Sequence, residues 1–286
     1  MKMNNLSDCY TLSNSVEIPC IGYGTFNITD NELVIKTIQT AIDIGYRHID
    51  TAAIYGNEKS VGHAIKSNNV VSREELFITS KLWNSEQGYE STLAAFDKTL
   101  EDLQLKYLDL YLIHWPVVKG HKEDWQKSIM DTWRAFEKLH KEGKIRAIGV
   151  SNFLPHHLNV LMANSKTQPM VNQIELHPGQ NQSETVLFCQ KNNILVEAWS
   201  PLGQGKILNN PTLKEIAEKY NKNVAQLCIR WSLQKNFLPL PKSATLSRIS
   251  ENANVFDFEI NNEDIEIINM MPYCGGSGLN PDNIDF

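Results

Sequence analysis

A repeating alternation constrains this chain more than any other feature of its sequence. Short apolar runs at residues 20–23, 46–50, 76–81, 108–114, 147–151, 170–175, 195–199 and 238–240 read as strands. Between them lie longer segments with the helical period, at 32–44, 90–103, 127–141, 155–163, 183–192, 224–235 and 247–255. In the segment 32–44, Leu33, Ile35, Ile38, Ala41 and Ile42 share one broad face, Thr29-Asp30-Asn31 precedes them and Gly45 stops the pattern. Pro155 falls at a first helical position, where its lack of an N–H is harmless. Strands joined through helices of this length run parallel with right-handed crossovers, so the chain folds as an open doubly wound sheet or as a (β/α)₈ barrel. Eight strands are the count for closure. Ahead of them, residues 10–18 alternate about the polar turn Ser13-Asn14-Ser15 and read as a hairpin lid. No linker rich in Pro, Gly or Ser and no shift in composition divides the 286 residues, which predicts a single domain over 1–286.

An α/β protein builds its site where strands end. The stretch His48-Ile-Asp-Thr-Ala-Ala-Ile-Tyr-Gly-Asn-Glu58 sets Asp50 and Tyr55 on one strand-to-helix turn, the run 76–81 ends in Lys81, and the run 108–114 ends in His114. Alone, Asp50 reads equally well as a helix cap and Tyr55 as a half-buried packing residue. Together the four residues hold the parts of an acid catalyst. An ammonium beside a phenol favours the phenolate and lowers the phenol's pKa from about 10. Asp50 would hold that ammonium, and the His114 imidazole would donate to the phenol or to a substrate carbonyl oxygen, so that a forming alkoxide is protonated.

From about Ile18 to Phe286 the chain resembles the aldo-keto reductase superfamily. The segments that carry the resemblance are Gly22-Tyr-Gly-Thr25, His48-Ile-Asp-Thr-Ala52, Tyr55-Gly-Asn-Glu58, Lys81-Leu-Trp83, Leu112-Ile-His-Trp-Pro116, Gly149-Val-Ser-Asn152, Asn172-Gln-Ile-Glu175, Trp199-Ser-Pro-Leu202 and Leu240-Pro-Lys-Ser243. The resemblance implies one (β/α)₈ TIM barrel with an N-terminal β-hairpin lid and a C-terminal tail over the active-site face. It places the family's catalytic tetrad on Asp50, Tyr55, Lys81 and His114, with Tyr55 as general acid and no tetrad position substituted. The Asn-Pro-Asp tail before Phe286 and the short loop Gly203-Gln-Gly-Lys-Ile207 are most similar to the microbial branch of 2,5-diketo-gluconate reductases and prostaglandin F synthase-like proteins.

A dinucleotide enzyme on an open sheet carries Gly-x-Gly-x-x-Gly after its first strand. Here Gly22-Tyr-Gly24 is followed by Thr25, Phe26 and Asn27, so the third glycine is missing and the barrel is favoured. The resemblance then implies how a barrel holds the cofactor. Ser151, Asn152 and Gln173 would meet the nicotinamide carboxamide. Trp199, where the family usually has tyrosine or phenylalanine, would stack on the ring, and Ser200, Pro201 and Leu202 would reach the pyrophosphate. Gly24, Thr25 and Asp50 complete the cofactor wall. Lys242, Ser243 and Arg248, converging near the start of the last barrel helix, would bind the 2′-phosphate that distinguishes NADP, and Asn252 the adenine.

Phe26, Ile54, Trp83 and Trp115 gather beside His114 and the other tetrad residues as a substrate mouth. His156-His157 reads as a solvated helix start and His177-Pro178 as equally inert, so no metal is expected. A net charge of -6 without basic clusters argues against nucleic acid or an anionic membrane as partner. No apolar run nears the roughly 20 residues of a membrane span. Five scattered cysteines without a Cys-x-x-Cys pair fit a cytoplasmic protein. The expectation is a monomeric NADPH-dependent reductase of aldehydes and ketones (small carbonyls, dicarbonyls or keto-sugars), taking hydride from nicotinamide and a proton from Tyr55. Two rivals stay open: a non-catalytic cofactor-binding subunit, and a barrel isomerase or lyase working without nucleotide.

Overall fold

Apolar runs become strands here because helices cover the outer face of the sheet, so that both faces of each strand are buried. The structure, a computed structural model, describes residues 2–119 and 122–286; Met1, Gly120 and His121 lie outside the described residues. Among the described residues, β1 (Cys9–Thr11) and β2 (Glu17–Pro19) pair antiparallel. A parallel sheet follows in sequence order: β3 (Gly22–Gly24), β4 (His48–Asp50), β5 (Phe77–Leu82), β6 (Leu108–Ile113), β7 (Ile145–Ser151), β8 (Val171–Glu175), β9 (Leu195–Trp199) and β10 (Leu238–Pro239). Every residue of β5 and β6 is buried. The Gly24 N–H donates to Pro241 O at 3.1 Å, which joins the first strand to the segment after the last and closes the (β/α)₈ barrel.

Helix α1 (Asn31–Ile44) starts where the Asp30 carboxylate accepts the Leu33 N–H and stops at Gly45, whose φ of 118° is open to glycine and strained for other residues. Next come α2 (Glu58–Ser67) and α3 (Tyr89–Leu103). A Cβ on Gly62 of α2 would lie 2.2 Å from the Leu103 carbonyl oxygen, so only glycine lets α2 lie this close to the end of α3. Helices α4 (Trp125–Lys141), α5 (Pro155–Asn164), α6 (Ser183–Lys191), α8 (Val224–Gln234) and α9 (Leu246–Ala253) fall on the remaining periodic segments. The sequence reading passed over α7 (Pro211–Lys219) and α10 (Asn262–Asn269). Both are short and fall outside a strict alternation of strand and helix: α7 shares the β9–β10 crossover with α8, and α10 follows directly on α9.

The hairpin and the tail cover opposite ends of the barrel. Tyr10 Oη donates to Phe237 O and Asn14 Nδ2 to Arg146 O, contacts at the amino ends of the strands, so the lid lies away from the site face. The C-terminal tail crosses the carboxyl ends. Ser277 donates through its N–H and its hydroxyl to the Glu175 carboxylate, and Lys206 donates to Gly276 O.

Glu58, the first residue of α2, is buried against β5, where Ser80 Oγ donates to it at 2.6 Å. Burial pushes its carboxyl up to about 7, against the lowering effect of Ser80. The folded value lies above the unfolded one of about 4.3, so between those pH values the native state holds a proton that the unfolded state releases, and this group's contribution to stability falls as pH rises. Glu58→Gln should therefore gain in melting temperature relative to the parent from pH 5 to pH 8. A calorimetric difference independent of pH would refute this.

Candidate active site

The carboxyl ends of the strands open on a cavity of about 1160 Å³, larger than a small metabolite needs. Each tetrad side chain reaches it, or the layer beneath it, because it stands at or just after a strand end. Lys81 Nζ donates to Asp50 Oδ1 at 2.7 Å, to Thr51 O at 2.9 Å and to Tyr55 Oη at 3.4 Å. Lys81 is only 1% exposed, so this buried cation is held by a full set of acceptors. Burial alone would lower its pKa, but Asp50 and Tyr55 more than offset that and the net shift is upward. The His114 ring lies 6.0 Å from the Tyr55 ring and 5.3 Å from Trp83. Burial, with Lys81 adding to it, holds the imidazole well below its ordinary pKa, so it is neutral near pH 7 and has one N–H to give.

For Tyr55 the balance of charges and burial runs opposite to the sequence expectation. Burial raises the phenol above its ordinary pKa and outweighs the lowering by Lys81, and Asp50 adds to the rise. Charge proximity alone was legible in the chain, whereas the protein packed around this half-buried ring is not. The consequence is a phenol that stays protonated at neutral pH.

The other wall brings together residues on or just after three neighbouring strands, β7, β8 and β9. Ser151, Asn152, Gln173 and Trp199 line the cavity with Ser200, Pro201 and Leu202 after them. Asn152, at a φ of 64° that asparagine tolerates, sends Nδ2 to His114 O and to Ser151 Oγ. Its Oδ1 accepts the Trp199 indole N–H at 2.8 Å, a bond phenylalanine cannot make, which fixes the indole at this position. Gly24 lines the cavity too. Thr25 does not: it is fully buried and its hydroxyl donates to Asp50 O at 3.0 Å, so its expected contact with cofactor gives way to a structural bond inside the wall.

Farther along the same cavity stand Lys242, Ser243, Arg248 and Asn252. Neither Lys242 nor Arg248 has an ion-pair partner among the described residues, and burial lowers the pKa of Lys242. At the mouth, Phe26, Ile54, Trp83 and Trp115 are joined by Leu279 and Phe286 of the tail. The Phe286 ring stacks on Trp83 at 5.6 Å and meets Trp115 edge-on at 5.6 Å. The sequence reading gave Phe286 no site role, since nothing local says where a terminal aromatic will lie. Glu197 it also missed, although an acidic residue inside the apolar run 195–199 was a usable signal.

His157 corrects a second expectation. It is fully buried rather than solvated, and a carboxylate does reach the pair: Asp282 Oδ1 lies 2.8 Å from His156 Nε2 and 3.0 Å from His157 Nε2. Burial pushes His157 down to about 4, with His156 adding to the shift. Because His157 Nδ1 accepts the Leu154 N–H, its neutral ring carries the proton on Nε2, so that atom offers a metal no lone pair; Asp282 Oδ1 lies 3.0 Å away without the geometry of a hydrogen bond to it.

Fold and cavity together define a (β/α)₈ barrel with its site at the carboxyl ends of the strands. Comparison with known proteins makes the class specific. The model of the aldo/keto reductase family matches residues 20–271. The glyoxal reductase of Bacillus subtilis is 52% identical over 282 residues, 99% of each chain. A crystal structure of an aldo-keto reductase from a deep-sea metagenome library superposes with a TM-score of 0.91 at 45% identity, covering 97% of this chain and 100% of that one. An aldo-keto reductase of Bombyx mori, solved in complex with NADP, gives 0.85 at 35% identity over 92% of each chain. The chain belongs to the aldo/keto reductase family. It is an oxidoreductase acting on carbonyl compounds.

Proposed function

We infer that this chain is a cytoplasmic, monomeric enzyme that reduces aldehydes and ketones with NADPH. Bound NADPH supplies the hydride. The protein's own residues supply the proton and the geometry: Tyr55 gives its phenolic proton to the carbonyl oxygen, and neutral His114 donates a hydrogen bond that orients that oxygen. Lys81, held by Asp50, stabilises the phenolate left behind. Ser151, Asn152, Gln173 and Trp199 form the nicotinamide wall, Ser200, Pro201 and Leu202 the pyrophosphate edge, and Asn252 the adenine end. The aromatic mouth of Trp83, Trp115 and Phe286 with Phe26 and Ile54 suits small carbonyls, and the B. subtilis relative's name favours reactive dicarbonyls among them.

The observation that carries the cofactor assignment is the pair of cations that have no ion-pair partner among the described residues, Lys242 and Arg248, beside Ser243 on the cavity that also holds Tyr55. Only NADPH presents a further dianion to them, and otherwise the two cofactors are the same. The residues fit that group, and the NADP-bound silk-moth relative is consistent with it. NADPH should bind more tightly than NADH. Charge-assisted hydrogen bonds are worth about 1.5–3 kcal/mol, so Arg248→Ala should weaken NADPH roughly ten- to a hundredfold and leave NADH nearly unchanged. Quenching of tryptophan fluorescence measures both affinities. Equal affinity for the two cofactors in the parent, or an equal loss in Arg248→Ala, would overturn the NADP assignment.

A further inference from the structure

A hydrogen-bonded chain crosses the barrel interior beneath the cavity and extends beyond the tetrad. From Tyr55 Oη it passes to Lys81 Nζ (3.4 Å) and Asp50 Oδ1 (2.7 Å), and Gln173 Nε2 then links Asp50 Oδ2 (2.9 Å) to Glu197 Oε2 (2.7 Å). Glu197 is fully buried and lies directly beside Gln173 in the register of β8 and β9. Its other oxygen, Oε1, has no hydrogen-bond partner among the described residues. A carboxyl in such surroundings is costly, and an apolar residue would fill the strand without that cost.

Amide chemistry shows what this carboxyl does. The Gln173 nitrogen has two hydrogens, and carboxyl oxygens of Asp50 and Glu197 take both. Turned over, the amide would press its oxygen against the Asp50 carboxylate. The two carboxyls thus fix one orientation, with Oε1 as the outward atom on a cavity-lining side chain. No protein group donates to that oxygen among the described residues. Its neighbours are already engaged: Ser151 Oγ donates to Gln173 O and accepts from Asn152, whose Nδ2 also serves His114 O. Burial, with the charge of Asp50 adding to it, pushes Glu197 up to about 8, so near pH 7 it accepts chiefly as a neutral acid and adds no second charge beside Asp50.

We propose that Glu197 is a positioning residue that, with Asp50, locks the Gln173 amide so that its Oε1 receives the carboxamide N–H of a nicotinamide ring. This rests on the NADPH reading above, and Glu197 itself touches neither cofactor nor substrate. The test compares binding of NADP⁺ with that of its 3-acetylpyridine analogue, which carries a methyl group where nicotinamide has NH₂. Glu197→Leu should weaken NADP⁺ roughly three- to tenfold, the effect of one neutral hydrogen bond, and the analogue far less. Glu197→Gln offers the same carbonyl oxygen to Gln173 and should recover most of the loss. If Glu197→Leu does not fold, Glu197→Asp, one methylene shorter, carries the same comparison. Equal losses for NADP⁺ and the analogue, or no recovery in Glu197→Gln, overturn the proposal alone. A parent that binds no NADP⁺ overturns the cofactor reading and this proposal with it.

Discussion

Tyr55→Phe is expected to lower carbonyl reduction by on the order of 10²–10⁴-fold while NADPH binding stays nearly unchanged. The substitution removes one oxygen and keeps the ring, so the contact with Phe26, at 5.0 Å between ring centroids, is preserved. What is lost is the proton for the forming alkoxide. Neutral His114 remains in place, but giving up its single N–H proton would leave an imidazolate, a far weaker arrangement than a phenolate beside an ammonium. Steady-state rates with a reactive dicarbonyl and fluorescence titration with NADPH separate the two effects. A variant that keeps most of its kcat would remove Tyr55 from the mechanism.

Lys81→Met should be comparably damaging, with a different signature. Burial already raises the phenol's pKa, and the ammonium is the one nearby group that opposes the rise. Without it the phenolate left after proton transfer is destabilised further, so kcat falls and any alkaline limb of the pH profile moves up. Methionine also leaves Asp50 without its cation 2.7 Å away, a buried anion kept only by the Gln173 amide. A loss of stability is therefore expected alongside the loss of rate. A modest fall in kcat with an unchanged pH profile would make Lys81 structural.

What the chain disclosed and what it hid follow from the range of the interactions involved. Strands 5 and 6 were legible because Leu76-Phe-Ile and Leu110-Tyr-Leu-Ile are short apolar runs that lead into Lys81 and His114 within a few residues. Helix 1 was legible because Asp30 and Gly45 mark its ends within the segment itself. Helices 7 and 10 were not, since each is an extra helix in a chain otherwise read as one helix per strand: α7 shares a crossover with α8 and α10 follows α9. The expected site residues were found one at a time at strand ends, but their partners depend on how the ring of strands closes. Thr25 turns into the wall, Asp282 reaches His157 from the far end of the chain, and Glu197 meets Gln173 only through the register of β8 and β9. The sign of the Tyr55 shift was misjudged for the same reason: a neighbouring lysine is visible in sequence, whereas burial depth belongs to the assembled barrel.

The tail bounding the cavity mouth is fastened to the barrel by side chains rather than by a strand or helix: Ser277 on Glu175, Asp282 on the histidine pair, and Asn84 donating to Phe286 O at 3.2 Å. A segment held by a handful of polar clasps opens at a far smaller free energy than global unfolding. Its amides should accordingly exchange with solvent while those of β5 and β6 stay protected. Local release of the tail would part the stacked rings of Trp83 and Phe286, so the width of the cavity mouth is expected to follow that opening equilibrium rather than a fixed aperture.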